Sequence, residues 1–255
     1  MSGEESRAED RRAGLAAAGR AAQELLIEQA DMTQWALPER FTAPQLVGVG
    51  WYRGSVRLAQ SCLVLQDAGF GHEAASLRRS LLEHMTALVW LADSGEIALD
   101  ALQRGHQQWL VRLTAAMKGD DWPEIPPVAR ETLEAAVPAS PEEHLQHMTQ
   151  RLDAFDLRTL LPPWISDTGV AHPCLTSARY FWRQYEDGSV SLLDVPAVED
   201  PLTTLTFNAV LLMLATLAVD RLLGGLESLH ASAIAAGRLL ALEPVLPQRR
   251  KGGEQ

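Results

Sequence analysis

Arg79 and His84 frame the stretch LRRSLLEH, with four residues between them. An imidazole titrates near neutrality and can take up or release a proton, whereas a guanidinium keeps its charge. The pair could therefore carry out acid–base work beside a fixed positive charge, a chemistry that needs no metal. Glu83 follows Arg79 by one helical turn, and this i,i+4 spacing predicts a surface ion pair of about 0.3–0.5 kcal/mol. In a helix, Leu77, Leu81, Met85, Leu88 and Ala92 share one apolar face. Arg79, Glu83 and Trp90 fall near the opposite side, and the tryptophan there predicts that the second face is covered too. His84 lies about 140° around the helix from Arg79, at the edge of the apolar face, within reach of a long Arg side chain curling toward a common pocket.

His172 is a second candidate. It precedes Pro173, which holds it extended in a loop. Glu143, His144 and His147 could be read as metal ligands on one helical face. A capping box of Ser140, Pro141 and Glu143 explains the glutamate instead, and no second Glu-x-x-His helix completes a di-metal bundle. No metal and no cofactor is expected. His106 near Arg104 is read as a surface residue. GVGWYRG at 48–54 lacks a preceding strand, and no Walker lysine, G-x-S-x-G or H-E-x-x-H occurs, so the usual NTPases, Rossmann enzymes, hydrolases and zincins are unsupported.

The elements that must position these residues are mostly helices. Between Pro44 and Pro123 no proline interrupts apolar residues recurring every three or four positions. Breaks at Gly69 and at ADSGE (92–96) divide the block into helices over about 45–68, 73–92 and 95–118, joined by turns short enough to force antiparallel neighbours. Residues 4–30 predict another helix, 128–137 a short one, and Ser140 the start of a further one. DLRTLLPPWISDTGVAHPC reads as irregular. The Asp187-Gly188 pair between aromatic and aliphatic runs predicts a β-hairpin near 180–195. Asp200-Pro201 opens an apolar helix that Gly224-Gly225 closes, and 226–243 forms the last helix. The expectation is a mainly all-α antiparallel helical bundle with one small late hairpin. Residues 1–42 would be an N-terminal helix and linker, 43–243 the domain, and 244–255 a disordered tail.

The 255 residues, 47% hydrophobic and 22% charged, suit one sizeable core. A net charge of −11 argues against an extended DNA-binding surface. Residues 1–50 sum to −3, 51–118 to +1 and 119–255 to −9, so the candidate site sits in the only non-acidic third. Two cysteines, Cys62 and Cys174, far apart in the chain, suggest a reducing cytoplasm. The N-terminus lacks the order of a secretory signal. Leu202–Val219 runs without a charge, but threonines and Asn208 dilute it and Asp200 and Asp220 bracket it, which favours a core helix over a membrane span.

Two resemblances enter at these residues. The Arg-x-x-x-x-His of Arg79 and His84 resembles the HEPN domains, helical bundles of bacterial toxin and antiviral systems. That likeness implies a homodimeric, metal-independent endoribonuclease in which His84 moves the 2′-hydroxyl proton, Arg79 stabilises the phosphorane charge, and Glu83 or His172 orients them. The family's commoner form has a polar amide, acid or imidazole after the arginine, where this chain has Ser80. The run GHEAASLRRSLLEHMTALVWLAD, with the later DTGVAHPCLTSA, resembles bacterial helical proteins of unknown function that pair an Arg-Ser-Leu-x-Glu helix with a Ser/Thr-x-x-x-His segment. It spans about 45–240 and implies that Arg79, Glu83 and His172 share a central polar cluster. The expected function is a non-catalytic dimerisation or partner-binding module with that cluster buried in the core, its partner a second copy, RNA or another protein. The alternatives are the ribonuclease and a small-molecule pocket lined by Trp51, Trp90 and Trp109.

Overall fold

The computed structural model of the chain describes residues 3–31, 35, 38–117, 127–194, 196 and 201–250. Its elements run α1 (Gly3–Gln29), α2 (Ala43–Asp67), α3 (Ala75–Ser94), α4 (Glu96–Met117), α5 (Pro127–Glu134), α6 (Met148–Ala154), α7 (Leu161–Ala171), α8 (Leu175–Arg179), β1 (Trp182–Gln184), β2 (Val190–Leu192), α9 (Pro201–Leu222) and α10 (Glu227–Leu240). The fold is the expected mainly all-α bundle with one hairpin.

At the centre stands α9, packed by α1, α2, α3 and α10. Every residue from Leu211 to Asp220 is buried, which is why the segment shows no polar face. It is long and apolar enough to cross a membrane, and 72% of its most apolar window is buried inside the fold. Two of the polar groups it carries inward are hydrogen-bonded. The Tyr52 hydroxyl lies 3.3 Å from Thr216 Oγ1, which itself donates to the Leu212 carbonyl. Asp220 accepts from the Leu226 N–H across the Gly224-Gly225 turn, where both glycines have φ near +87°.

Close approach decides two other glycines. A Cβ on Gly19 of α1 would stand 2.7 Å from the Thr206 nitrogen, so α1 touches the α9 backbone there. A Cβ on Gly48 would stand 2.6 Å from Leu222 Cδ1, so GVGWYRG lies inside α2 with Gly48 as its close-packing glycine. Helix α2 opens with a capping box in which Thr42 accepts from Gln45 N–H and Gln45 accepts from Thr42 N–H. The Gln45 amide also donates to the Leu222 carbonyl at 2.9 Å, tying α2 to the end of α9.

Three expectations need correction. The stretch read as irregular contains α7. Pro162 and Pro163 fall in its first turn, where backbone N–H groups have no intrahelical acceptor, so the prolines start the helix rather than break one. After Ser140 the chain forms a 3₁₀ turn, Glu143–Gln146, and the α-helix begins only at Met148. Half of the capping box survives, with Ser140 N–H donating to Glu143, but the Ser140 hydroxyl donates to the Ile97 carbonyl and accepts from Glu142 N–H. The tail expected to be disordered lies against the bundle as far as Arg250. Arg249 pairs with Glu142 and Arg250 with Asp156, and the Arg250 N–H donates to the Ala154 carbonyl at 2.8 Å. Residues 251–255 lie outside the described residues.

The hairpin is antiparallel, with Trp182 opposite Leu192 and Gln184 opposite Val190. Gly188 takes φ +82° in the turn, and Asp187 accepts from Ser189 N–H and its hydroxyl.

Candidate functional site

Helix α3 is buried on two faces. Leu81, Met85 and Leu88 are fully buried and Leu77 and Ala92 half-buried, as the apolar periodicity predicts. The second stripe, Arg79, Glu83, Thr86 and Trp90, is covered by α7, α6 and the 3₁₀ turn. Arg79 Nε donates to Glu83 Oε1 at 3.0 Å, and an Arg79 terminal nitrogen contacts His172 Nε2 at 3.0 Å. A guanidinium can only donate, so His172 accepts with Nε2 and carries its proton on Nδ1. Trp164 of α7 donates its indole N–H to the same Glu83 oxygen at 3.0 Å and lies under the Arg79 guanidinium, 5.4 Å from it. The expected Arg79, Glu83 and His172 cluster therefore forms, with Trp164 as its fourth member. It differs from the expectation in depth: Arg79 and Glu83 are half-buried and His172 is exposed, so the cluster seals the edge of the α3–α7 seam and not the core.

Further along the stripe, Trp90 is fully buried and donates to Glu142 at 2.6 Å. Burial pushes the Glu142 carboxyl up, but hydrogen bonds from Arg249, Trp90 and Ser94 outweigh it and hold the group below the usual carboxylate range. Arg151 sits between these clusters, 7% exposed, with its guanidinium 5.9 Å from the Trp90 ring centre and Nε without a hydrogen-bond partner. Burial pushes it down to about 10, against the opposing pull of the Glu83 charge.

The arginine next in sequence to Arg79 makes the strongest tie to α7. Arg78 is buried and donates from Nε and a terminal nitrogen to the two Asp167 oxygens at 3.1 and 2.6 Å, to Thr204 Oγ1 at 2.9 Å and to the Gly71 carbonyl at 3.3 Å. It joins α3, α7 and α9. Burial pushes the Asp167 carboxyl up despite the Arg78 hydrogen bonds. The sequence reading passed over Arg78, although its register with Leu82, Met85 and Val89 is the signal of a cation on a buried stripe.

His84 takes no part in either cluster. Its ring lies against Gly54 of α2, with Nδ1 buried and unpartnered, and burial lowers its pKa more than the Glu83 charge raises it. Arg79 and His84 thus face different neighbours. Three partners hold the guanidinium on the α7 side, which prevents the curl toward a shared pocket.

The other candidates are also placed. Among the described residues no group of three His, Cys, Asp or Glu side chains could hold a metal. Glu143 pairs with Arg104 at 2.7 Å, and His106 is exposed and stacked on Trp109. Trp51 is half-buried, Trp90 buried and Trp109 exposed. Neither Cys62 nor Cys174 is in a disulfide, and burial pushes the Cys62 thiol up to about 11, which leaves it a poor nucleophile.

The fold and site define an all-α helical bundle in which a helical hairpin, α2–α3, carries charged side chains at its seams. Residues 45–136, which span that hairpin, α4 and α5, match the model of a family of unknown function (DUF5677). The match agrees with the resemblance to helical proteins of unknown function over the first part of its span. Neither the curated proteins nor the solved structures give a match.

Proposed function

We propose that the chain is a non-catalytic helical module that associates with a second polypeptide, in the first place another copy of itself, through the arm formed by residues 158–194. The observation that carries this reading is the exposed apolar surface of that arm. Leu175 is 81% exposed and Leu192 86%, and Ile165, Phe181, Tyr185 and Val190 are exposed beside them in sequence. Partners across an antiparallel ladder share a face, so Trp182, Leu192 and Val190 project on one side of the ribbon. A two-stranded ribbon is marginal alone in water, and apolar side chains on its open face favour an occupant. The Arg79, Glu83, His172 and Trp164 cluster and the Arg78–Asp167 pair then serve as the brace that holds α7, the root of the arm, on α3. The Arg79–Glu83 pair is tied within the chain to His172 and Trp164, which supports bracing over turnover.

Light scattering behind size exclusion, at micromolar protein, tests the reading. The expected mass is twice the 27.9 kDa of one chain, falling to one chain in Leu175→Glu/Leu192→Glu with unchanged circular dichroism. A dimer that survives both substitutions would move the contact off the arm. A monomeric wild type would overturn self-association.

A further inference from the structure

We propose that the groove between α2 and α3 is a binding site for a small oxyanion, a phosphate monoester or a carboxylate, held by Arg57 with Ser61 and His84 as hydrogen-bonding partners. The groove has a volume of about 470 Å³ and opens to solvent, lined by Gly54, Arg57 and Ser61 from α2 and by Ser80, Glu83 and His84 from α3. That volume falls within the range of small-molecule sites.

Positions 54, 57 and 61 recur at helical spacing and so project along one strip of α2, as do 80 and 84 on α3. Among the described residues no ion pair or hydrogen bond engages the Arg57 guanidinium. It stands as the open cation of the groove, with five donors in a fork that matches a carboxylate or phosphate edge. Glu83 would oppose an anion, but its Oε1 already accepts from Arg79 and Trp164, and the Arg79 charge at 3.0 Å offsets it. Ser80 donates its hydroxyl to the Ser76 carbonyl, whereas Ser61 keeps its own for a ligand.

His84 is the second, independent sign of a site. A buried imidazole nitrogen without a partner is costly, and such groups persist where a ligand or a reaction uses the ring. The ring lies close along α2 at Gly54, where a Cβ would stand 3.4 Å from His84 Cε1, in ordinary van der Waals contact. With Nδ1 closed against α2, Nε2 is the nitrogen that serves the groove. This site is separate from the arm proposed as the association surface, so the two readings stand or fall independently.

The test is a histidine-selective NMR titration of the full chain at constant pH and ionic strength, with inorganic phosphate in one arm and acetate in the other. His84→Gln identifies the His84 resonance. Saturable shifts of that resonance are expected, with Arg57→Gln weakening the dissociation constant by about tenfold or more, as removal of one charge-assisted contact predicts. Arg57 is exposed, so the variant should fold, and circular dichroism checks it. Saturation by phosphate alone assigns phosphate esters, and saturation by acetate alone assigns carboxylates. A His84 resonance that neither anion shifts, or a dissociation constant that Arg57→Gln leaves unchanged, would overturn the proposal.

Discussion

Replacing Asp167 with alanine would strand Arg78, 7% exposed, in the seam between α3, α7 and α9 with its charge uncompensated. Four hydrogen bonds hold the guanidinium in the native chain, and the two to Asp167 are the only ones that also carry an opposite charge. Thr204 and the Gly71 carbonyl would remain, too weak to replace a carboxylate. Breaking a buried pair by removing one partner costs about 3–5 kcal/mol. For a chain of this size that is a fall in Tm of roughly 6–20 °C. Urea unfolding followed by tryptophan fluorescence measures the loss, and an unchanged slope against urea confirms that the same two states are compared. The double variant Arg78→Met/Asp167→Leu separates charge stranding from lost packing. It should recover to within about 2 kcal/mol of the wild type, because desolvation of the two ions offsets much of their attraction. A loss below about 1 kcal/mol in Asp167→Ala, or a double variant as unstable as the single, would refute the reasoning.

Two shorter predictions follow from the same structure. Gly19→Ala should cost about 1–3 kcal/mol, because its Cβ meets the Thr206 backbone at 2.7 Å and α1 must shift, while Gly14→Ala, with nothing within 4 Å, should be neutral or stabilising by up to about 1 kcal/mol; thermal melts of both variants decide it. Burial of His84 lowers its pKa below the unfolded value of about 6.5, so in acid the unfolded chain binds the proton more readily, and stability from this group is full above that value and declines as pH falls through it. Unfolding free energies of wild type and His84→Gln at pH 7.5 and 5.5 should therefore show the smaller acid loss in the variant; an equal loss would remove the effect.

Much of the helical framework was legible because its signals are local. Proline-free apolar periodicity marks α2, α3 and α4, and glycines at positive φ, Gly69 and Gly95, follow the ends of α2 and α3. Asp187-Gly188 marks the hairpin for the same reason. Helix α7 was missed because Pro162-Pro163 reads as a break until one sees that both fall in a first turn. The docked tail was missed because a basic, proline-flanked terminus looks solvated, whereas Arg249 finds Glu142 and Asp93 far back in the chain. Within the candidate site, the Arg79–Glu83 pair was legible as a one-turn spacing, and the tryptophan at position 90 correctly signalled a second covered face.

What the sequence determined alone, then, is the identity and approximate span of most elements and the contacts made within one helical turn, since caps, turns and i,i+4 pairs depend on neighbours in the chain. Tertiary structure alone decided that Trp164 joins Arg79 and Glu83, that Arg78 meets Asp167, 89 positions away, and that His84 lines a groove with Gly54 and Arg57 rather than meeting Arg79. A helix offers its side chains all around its axis. Which of them meet is fixed by the rotation and crossing of the helices packed against it, and those are set by the burial of the whole core and not by any local pattern.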